Sequence, residues 1–345
     1  MTTSAASRAL SDPDLSAEYL HLIGDGDEHA ATELAVTLLE DGVPAQRIMV
    51  DLIGGTQGRV GELWAANEWS VAREHAATAV SERVLAAVAA RVPVRPHRGR
   101  VALACVDGEW HGLPARILGE LFRIDGWRVD FLGASVPGPH LITHLHQTGP
   151  DAVALSCMIP TRLPRAHAAI TACRAAGVPV IAGGRGFGPG GRWAERLGAD
   201  AWAGTAEEAI TRLATDWPPA PAPEFPADFL GDEEYTHLVR SRPQLIETAM
   251  RRLAEAYPPV DEYDEQQLEA TMEDFGHIAD FLAASLYIDE PQIFLDFTAW
   301  TAAVLAARDV PAAALRAGLH LIRGQLIDFP KATATLDQAL AGVKP

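Results

Sequence analysis

Apolar positions in the first hundred residues recur at helical spacing. Leu20, Leu22 and Ile23 mark a short first helix, and Ala31, Leu34, Ala35, Leu38 and Leu39 repeat three and four apart in a second. A third is predicted from about Pro44 to Trp64 and a fourth from about Ser70 to Val92, with Asn67 as a turn residue and Ser70 as the N-cap between them. Four short helices of this kind make an antiparallel bundle cap. After the proline-punctuated stretch 92–100 the period shortens. VALAC (101–105), RVDFLG (128–133), DAVALSC (151–157), VPVIAGG (178–184) and DAWAG (200–204) read as strands. The amphipathic runs LPARILGELFRIDG, PHLITHLHQTG, LPRAHAAITACRAAG and GRWAERLG lie between them, each ending in a glycine suited to a C-terminal cap. That alternation predicts a five-stranded parallel, doubly wound sheet of flavodoxin/Rossmann-like type in the order 2-1-3-4-5. Its ligand crevice is expected at the carboxyl ends of strands 1 and 3.

The proline-rich stretch 217–229 reads as a stiff linker. Beyond it the pattern is helical again, near 232–256, 264–288, 290–308 and 311–341, punctuated by Pro243, Pro258, Pro259, Pro291, Pro311 and Pro330. Phe275, Ile278, Phe281, Leu282 and Leu286 form one apolar stripe there. The fold class is therefore α/β plus all-α. A flexible N-terminus (1–14) leads into the bundle (15–95), the sheet domain (100–216), the linker and a C-terminal helical domain (230–345).

Charge and cysteine content narrow the function classes. The 345 residues carry 46 acidic and 28 basic side chains, a net charge of -18. Such a surface repels phosphate, so direct binding to nucleic acid is not expected. No run approaches the ~20 apolar residues of a membrane span. The N-terminus has neither the basic nor the apolar segment of an export signal. Cys105, Cys157 and Cys173 have the spacing of neither a disulfide framework nor a zinc site, and a reducing cytoplasm fits them.

Two sets of residues carry candidate chemistry. His111 follows strand 1 in a strand-to-helix loop, where an imidazole can serve as a general base, a metal ligand or an incidental loop residue. Glu109, two positions earlier, can hydrogen-bond the ring nitrogen not used for ligation, fixing the tautomer. In the bundle, Trp64 closes the third helix, and Glu74 and His75 lie one turn into the fourth. Taken alone, Trp64 reads equally as core packing and Glu74-His75 as a solvated helix face. Bundle and sheet facing each other could enclose a large flat metallocofactor from both sides.

The segments RVGELWAANEWSVAREHAAT and CVDGEWHGLPARILGELFRIDGWRVDFLGASVP resemble the cobalamin-binding module of light-sensing cobalamin proteins, over roughly residues 15–215. The resemblance implies His111 as the lower axial ligand of cobalt. It implies Trp64, Glu74 and His75 around the 5'-deoxyadenosyl group on the upper face, and Ser156, Gly183 and Gly184 beside the nucleotide tail. The pattern departs from the family at two positions. Pro114 replaces the glycine three residues after the histidine, which puts the loop geometry in question. Ala65 follows Trp64 where some relatives carry a second histidine, so a bis-histidine light product is not expected. The chain begins almost directly with the bundle and is not expected to be a DNA-binding repressor itself.

A cobalamin module followed by a helical, globin-like domain is similar to the photocobilins. That likeness implies a photoreceptor, not an enzyme, holding adenosylcobalamin and also biliverdin. All cysteines precede residue 174, so a bilin in the C-terminal domain would be non-covalent. His237, Arg251, His277, His320 and Arg323 are candidates for its propionates and pyrrole nitrogens by residue type. A homodimer or a signalling protein is the expected partner. A corrinoid methyl carrier and a cobalamin sensor without photochemistry are the alternatives.

Overall fold

The structure is a computed structural model and describes residues 13–215, 217–218 and 232–344. Residues 1–12 and most of the expected linker lie outside the described residues. The bundle consists of α1 (Pro13–Gly24), α2 (Glu28–Glu40), α3 and α4 (Val71–Ala90). Helix α3 runs continuously through Ala45–Arg47, Ile48–Gly54 and Gly55–Ala65. Its middle stretch is a π-helix, in which the Gly55 N–H reaches back to the Val50 carbonyl. Asp27 caps α2 and Ser70 caps α4, each accepting a backbone N–H with its side chain. Asn67 takes a left-handed turn (φ 60°) between α3 and α4.

The sheet has the order β2-β1-β3-β4-β5, all pairs parallel. Its strands are β1 (Arg100–Val106), β2 (Arg128–Val136), β3 (Ala152–Ser156), β4 (Val180–Gly183) and β5 (Ala201–Ala203). The helices between them are α5 (Gly112–Ile124), α6 (Gly138–Thr148), α7 (Leu163–Ala175) and α8 (Arg192–Arg196). Helix α9 (Ala206–Thr215), which the sequence reading did not resolve, follows β5. The expected fold class and strand order are both observed. Strands β1 and β3 are buried throughout apart from Arg100, as apolar runs in a parallel sheet require.

Helix α5 joins the two domains because it is apolar on two sides. Ala115 and Phe122 face the sheet core, whereas Leu113, Ile117 and Leu121 complete the core of the bundle. The bundle therefore rests on the helix that begins beside His111.

The C-terminal domain contains α10 (Glu233–Ala256), α11 (Glu265–Ile288), α12 (Gln292–Ala306), α13 (Ala312–Gln325) and α14 (Pro330–Gly342). Two expectations need correction. The segment expected as one helix over 311–341 is two, because Pro330 has no N–H to continue the ladder and instead opens α14. Pro243 does not punctuate; it lies inside α10. It is exposed, and Val239, whose carbonyl it leaves without a helical donor, is exposed as well. Residues Ala284, Ile288 and Ile293 pack into the sheet-domain core on the α6/α7 side. His167 on α7 hydrogen-bonds the Tyr287 hydroxyl at 2.6 Å, and Arg192 pairs with Glu290.

Candidate functional site

The carboxyl ends of β1 and β3 converge on Glu109. A tight turn returns the chain after β1, with the Glu109 N–H bonded to the Val106 carbonyl at 2.8 Å. This buries the Glu109 side chain, which is 1% exposed as a residue, under the loop that carries His111. One carboxylate oxygen accepts the His111 backbone N–H at 3.0 Å and the His111 ring at 2.6 Å through Nδ1. The other accepts the Met158 and Ile159 N–H groups, just past β3, at 2.7 and 3.2 Å.

Burial alone would push the Glu109 carboxyl up. The hydrogen bonds from the His111 side chain and backbone and from Met158, with the His111 charge, outweigh it and hold the group below its usual range. An ionised Glu109 only accepts, so Nδ1 carries the proton and donates it in the hydrogen bond; the outward nitrogen of a neutral His111 is then Nε2, with a free lone pair. Its bond to Glu109 raises the His111 pKa. Burial opposes this, the Glu109 and Glu74 charges add to it, and Arg185 opposes it. The influence of Glu74 is informative, because Glu74 belongs to α4 in the bundle. The two motif sets lie within electrostatic reach of each other.

The bundle side is built differently. Glu74 accepts from the Thr78 hydroxyl at 3.2 Å, and Thr78 also reaches Gln57 of α3 at 3.0 Å. Gln57 continues to Ser81, which Tyr19 also approaches at 3.3 Å. This polar chain runs from the crevice into the bundle. His75 is largely exposed and donates through Nδ1 to the Val71 carbonyl at 2.8 Å, beside Glu74 at 3.0 Å. Trp64 is half-buried in the last turn of α3.

Ser156 and Gly183 are paired at the ends of β3 and β4. Gly184 follows with φ 101°, and a Cβ there would collide with the Cys157 backbone. The protein's own packing therefore requires that glycine. Pro114 sits in the first turn of α5, where no N–H is needed, and the helix forms around it. Arg162, Arg165 and Arg185, which the sequence reading missed, gather at the same mouth. Arg165 and Arg162 crowd Gly108, and Arg162 Nε is buried without a partner. Single arginines in short turns or the first turn of a helix carry no periodic signal, which is why they were missed.

The five C-terminal candidates are not brought together. His237 is exposed and stacks on Phe329, Arg251 pairs with Glu247, and Arg323 pairs with Asp337. His277 and His320 are exposed. None lines the cavity of about 60 Å³ among α10–α13, whose wall includes Tyr257, Tyr263, Asp274, Phe275 and Thr301.

Among the described residues no group of three or more His, Cys, Asp or Glu side chains could hold a bare metal ion. A single oriented imidazole with a buried carboxylate behind it is instead the donor set that suits a metal already held in a macrocycle. The residues at the crevice thus fit a cobalt corrinoid. No helix among the described residues is long and apolar enough to cross a membrane.

Comparison with known proteins agrees with the geometry. Residues 15–89 and 99–214 each match a family model described as a B12 binding domain. A corrinoid protein of Desulfitobacterium hafniense is 25% identical over 204 residues, 56% of this chain and 93% of that protein. The HTH-type transcriptional repressor CarA of Myxococcus xanthus is 38% identical over 121 residues, 34% of this chain and 41% of the repressor. The monomethylamine corrinoid protein of Methanosarcina barkeri shares the fold, with TM-score 0.50 at 18% identity over 56% of this chain and 94% of that one. With both halves of the B12-binding module in place around His111, the chain is a cobalamin-binding protein.

Proposed function

We propose that this protein is a photoreceptor that holds adenosylcobalamin between the bundle and the sheet domain and answers light by a change in their packing. The supporting observation is that α5, which begins at Gly112 beside His111, packs into the bundle core through Leu113, Ile117 and Leu121, so the bundle is seated on the helix that follows the candidate ligand. In this reading His111 Nε2 is the lower ligand of cobalt, oriented by Glu109. Trp64, Glu74 and His75 shelter the upper ligand, while Ser156, Gly183 and Gly184 border the tail. When bound, adenosylcobalamin supplies a weak cobalt–carbon bond that light can break. Trp64 and the Glu74–Thr78–Gln57 chain would hold the upper group, and the bundle, seated on α5, would shift if that contact were released.

The C-terminal domain is proposed to hold biliverdin without a thioether. All three cysteines are free and buried in the sheet domain, and burial pushes the Cys105 and Cys173 thiols up to about 12. The output is proposed to pass through a homodimer or a signalling partner. The test is the visible spectrum of the cobalamin-loaded protein before and after green light, which should change; an unchanged spectrum overturns the photoreceptor reading. Red absorbance on adding biliverdin tests the second chromophore.

A second reading, a corrinoid methyl carrier, is favoured by the relative from D. hafniense, 93% of whose length aligns with this chain. Tighter binding of methylcobalamin than adenosylcobalamin, without photochemistry at either, would select it. Stabilisation by cobalamin with neither preference nor light response would select a simple sensor.

A further inference from the structure

The C-terminal domain touches the bundle at the residue that the sequence motif singles out. Trp300 of α12 stacks on Trp64, with ring centroids 5.9 Å apart and planes at 30°. Arg308, just past α12, reaches the same place with its guanidinium. Nη2 donates to the Trp64 carbonyl at 3.0 Å and Nη1 to the Ala65 carbonyl at 3.1 Å. Nη1 also meets the Val304 carbonyl of its own helix at 3.0 Å, which braces the arm. The guanidinium carbon lies 5.3 Å from the centre of the Trp64 ring.

These contacts have a physical logic at both ends. Trp64 and Ala65 are the last residues of α3, where helical carbonyls lose their intrahelical donors and a cation meets the negative end of the helix dipole. On the other side, the Arg308 charge reaches the Asp274 carboxyl on α11, so the arginine also faces its own domain. Trp64 is only half-buried. Its aim therefore depends on what holds it from outside, and these holds come from residues more than 200 positions later in the chain.

We propose that Arg308 and Trp300 are positioning residues for Trp64. Through them the C-terminal domain sets the room above the corrin and hence the preference for a bulky nucleoside-bearing upper ligand over a methyl group. This rests on the reading that Trp64 shelters the upper ligand. The test uses the full-length protein and dark affinities for adenosylcobalamin and methylcobalamin, with Trp64→Ala, Arg308→Met, Arg308→Lys and Trp300→Ala.

Trp64→Ala and Arg308→Met should each lower the preference for adenosylcobalamin over methylcobalamin by about fivefold or more, and Arg308→Met should keep methylcobalamin affinity within about twofold as the control for folding. Arg308→Lys, which keeps the charge without the two-pronged fork, should fall between wild type and Arg308→Met. Trp300→Ala should act in the same direction. The Trp64→Ala/Arg308→Met double variant should be no worse than the stronger single one, since both act through one ring. In the cofactor-free protein, amide exchange over residues 60–69 should quicken in Arg308→Met.

If Trp64→Ala shifts the ratio while Arg308→Met and Trp300→Ala do not, this inference fails and the proposed function stands. Additive effects in the double variant also overturn it. If Trp64→Ala leaves the ratio unchanged, both this inference and the assignment of Trp64 to the upper face fail.

Discussion

The two walls of the crevice are held by different means. On the sheet side one buried carboxylate ties His111 to the ends of β1 and β3 through four hydrogen bonds, three of them from backbone N–H groups and one from the His111 ring. On the bundle side the motif residues are half-buried or exposed, and they are held by side-chain hydroxyls, an amide and contacts from a distant domain. The sheet side is a fixed shelf, because moving it means stripping hydrogen bonds from a buried charge. The bundle side is a cap that can yield at much lower cost. On the proposed photoreceptor reading, the fixed wall would hold the cofactor and the yielding one would move.

The comparison can be broken most directly at the shelf. His111→Ala should abolish axial ligation by the protein and shift the visible bands of the bound cobalamin, the largest effect expected of any single change; unchanged bands would mean that His111 is not the ligand. Glu109→Gln should weaken cobalamin binding by about 10- to 100-fold, as loss of a partner behind a metal-bound histidine does. It should also lower stability by about 1–3 kcal/mol, because an amide cannot accept from every buried donor around it. Binding titration and denaturant unfolding read the two effects separately.

Smaller changes sharpen the contrast on the cap and in the C-terminal domain that touches it. Burial holds the Asp274 carboxyl above its usual range, and Glu273 adds to this while His277 and Arg308 oppose it. A carboxyl whose folded pKa is raised adds stability below its unfolded pKa and loses it as pH rises through the folded value. Asp274→Asn should therefore stabilise the protein at pH 7, with the gain fading as the pH approaches 4; thermal melts at the two pH values check it. His75→Ala should be the mildest, within about 0.5 kcal/mol in stability, since the ring is largely exposed. An effect on the adenosylcobalamin spectrum without one on stability would give His75 a direct role above the corrin.

How much of this was legible in the sequence follows from how each feature is encoded. The sheet order and the place of His111 are encoded locally, by strand–helix alternation and a loop position, and both were readable. The Ser70 cap and the left-handed Asn67 were readable for the same reason. The break before Pro330 was visible as a proline but was not resolved into a helix boundary. Pro243 misled because exposure lets a helix tolerate what its interior would not. Trp300 and Arg308 carried no signal, since a contact across more than 200 residues leaves no periodic trace. The C-terminal candidates were chosen by residue type alone, and type does not say which side of a helix faces a cavity.

The π-helical stretch in α3 has a consequence for the aim of Trp64. A π turn accommodates an extra residue, so the helix beyond it is rotated relative to an uninterrupted α-helix by about 100°, the angle of one residue. The direction in which the tryptophan points is thus a matter of angular phase, set ten or more residues upstream at Ile48–Gly54. Converting that stretch to regular α-helix without removing a residue would leave the aromatic ring in the chain and the helix intact, yet turn the ring away from Trp300; dropping one residue together with the π turn would restore its aim. Homologues that keep the tryptophan and the residue count but lack the π turn would carry the motif without its geometry.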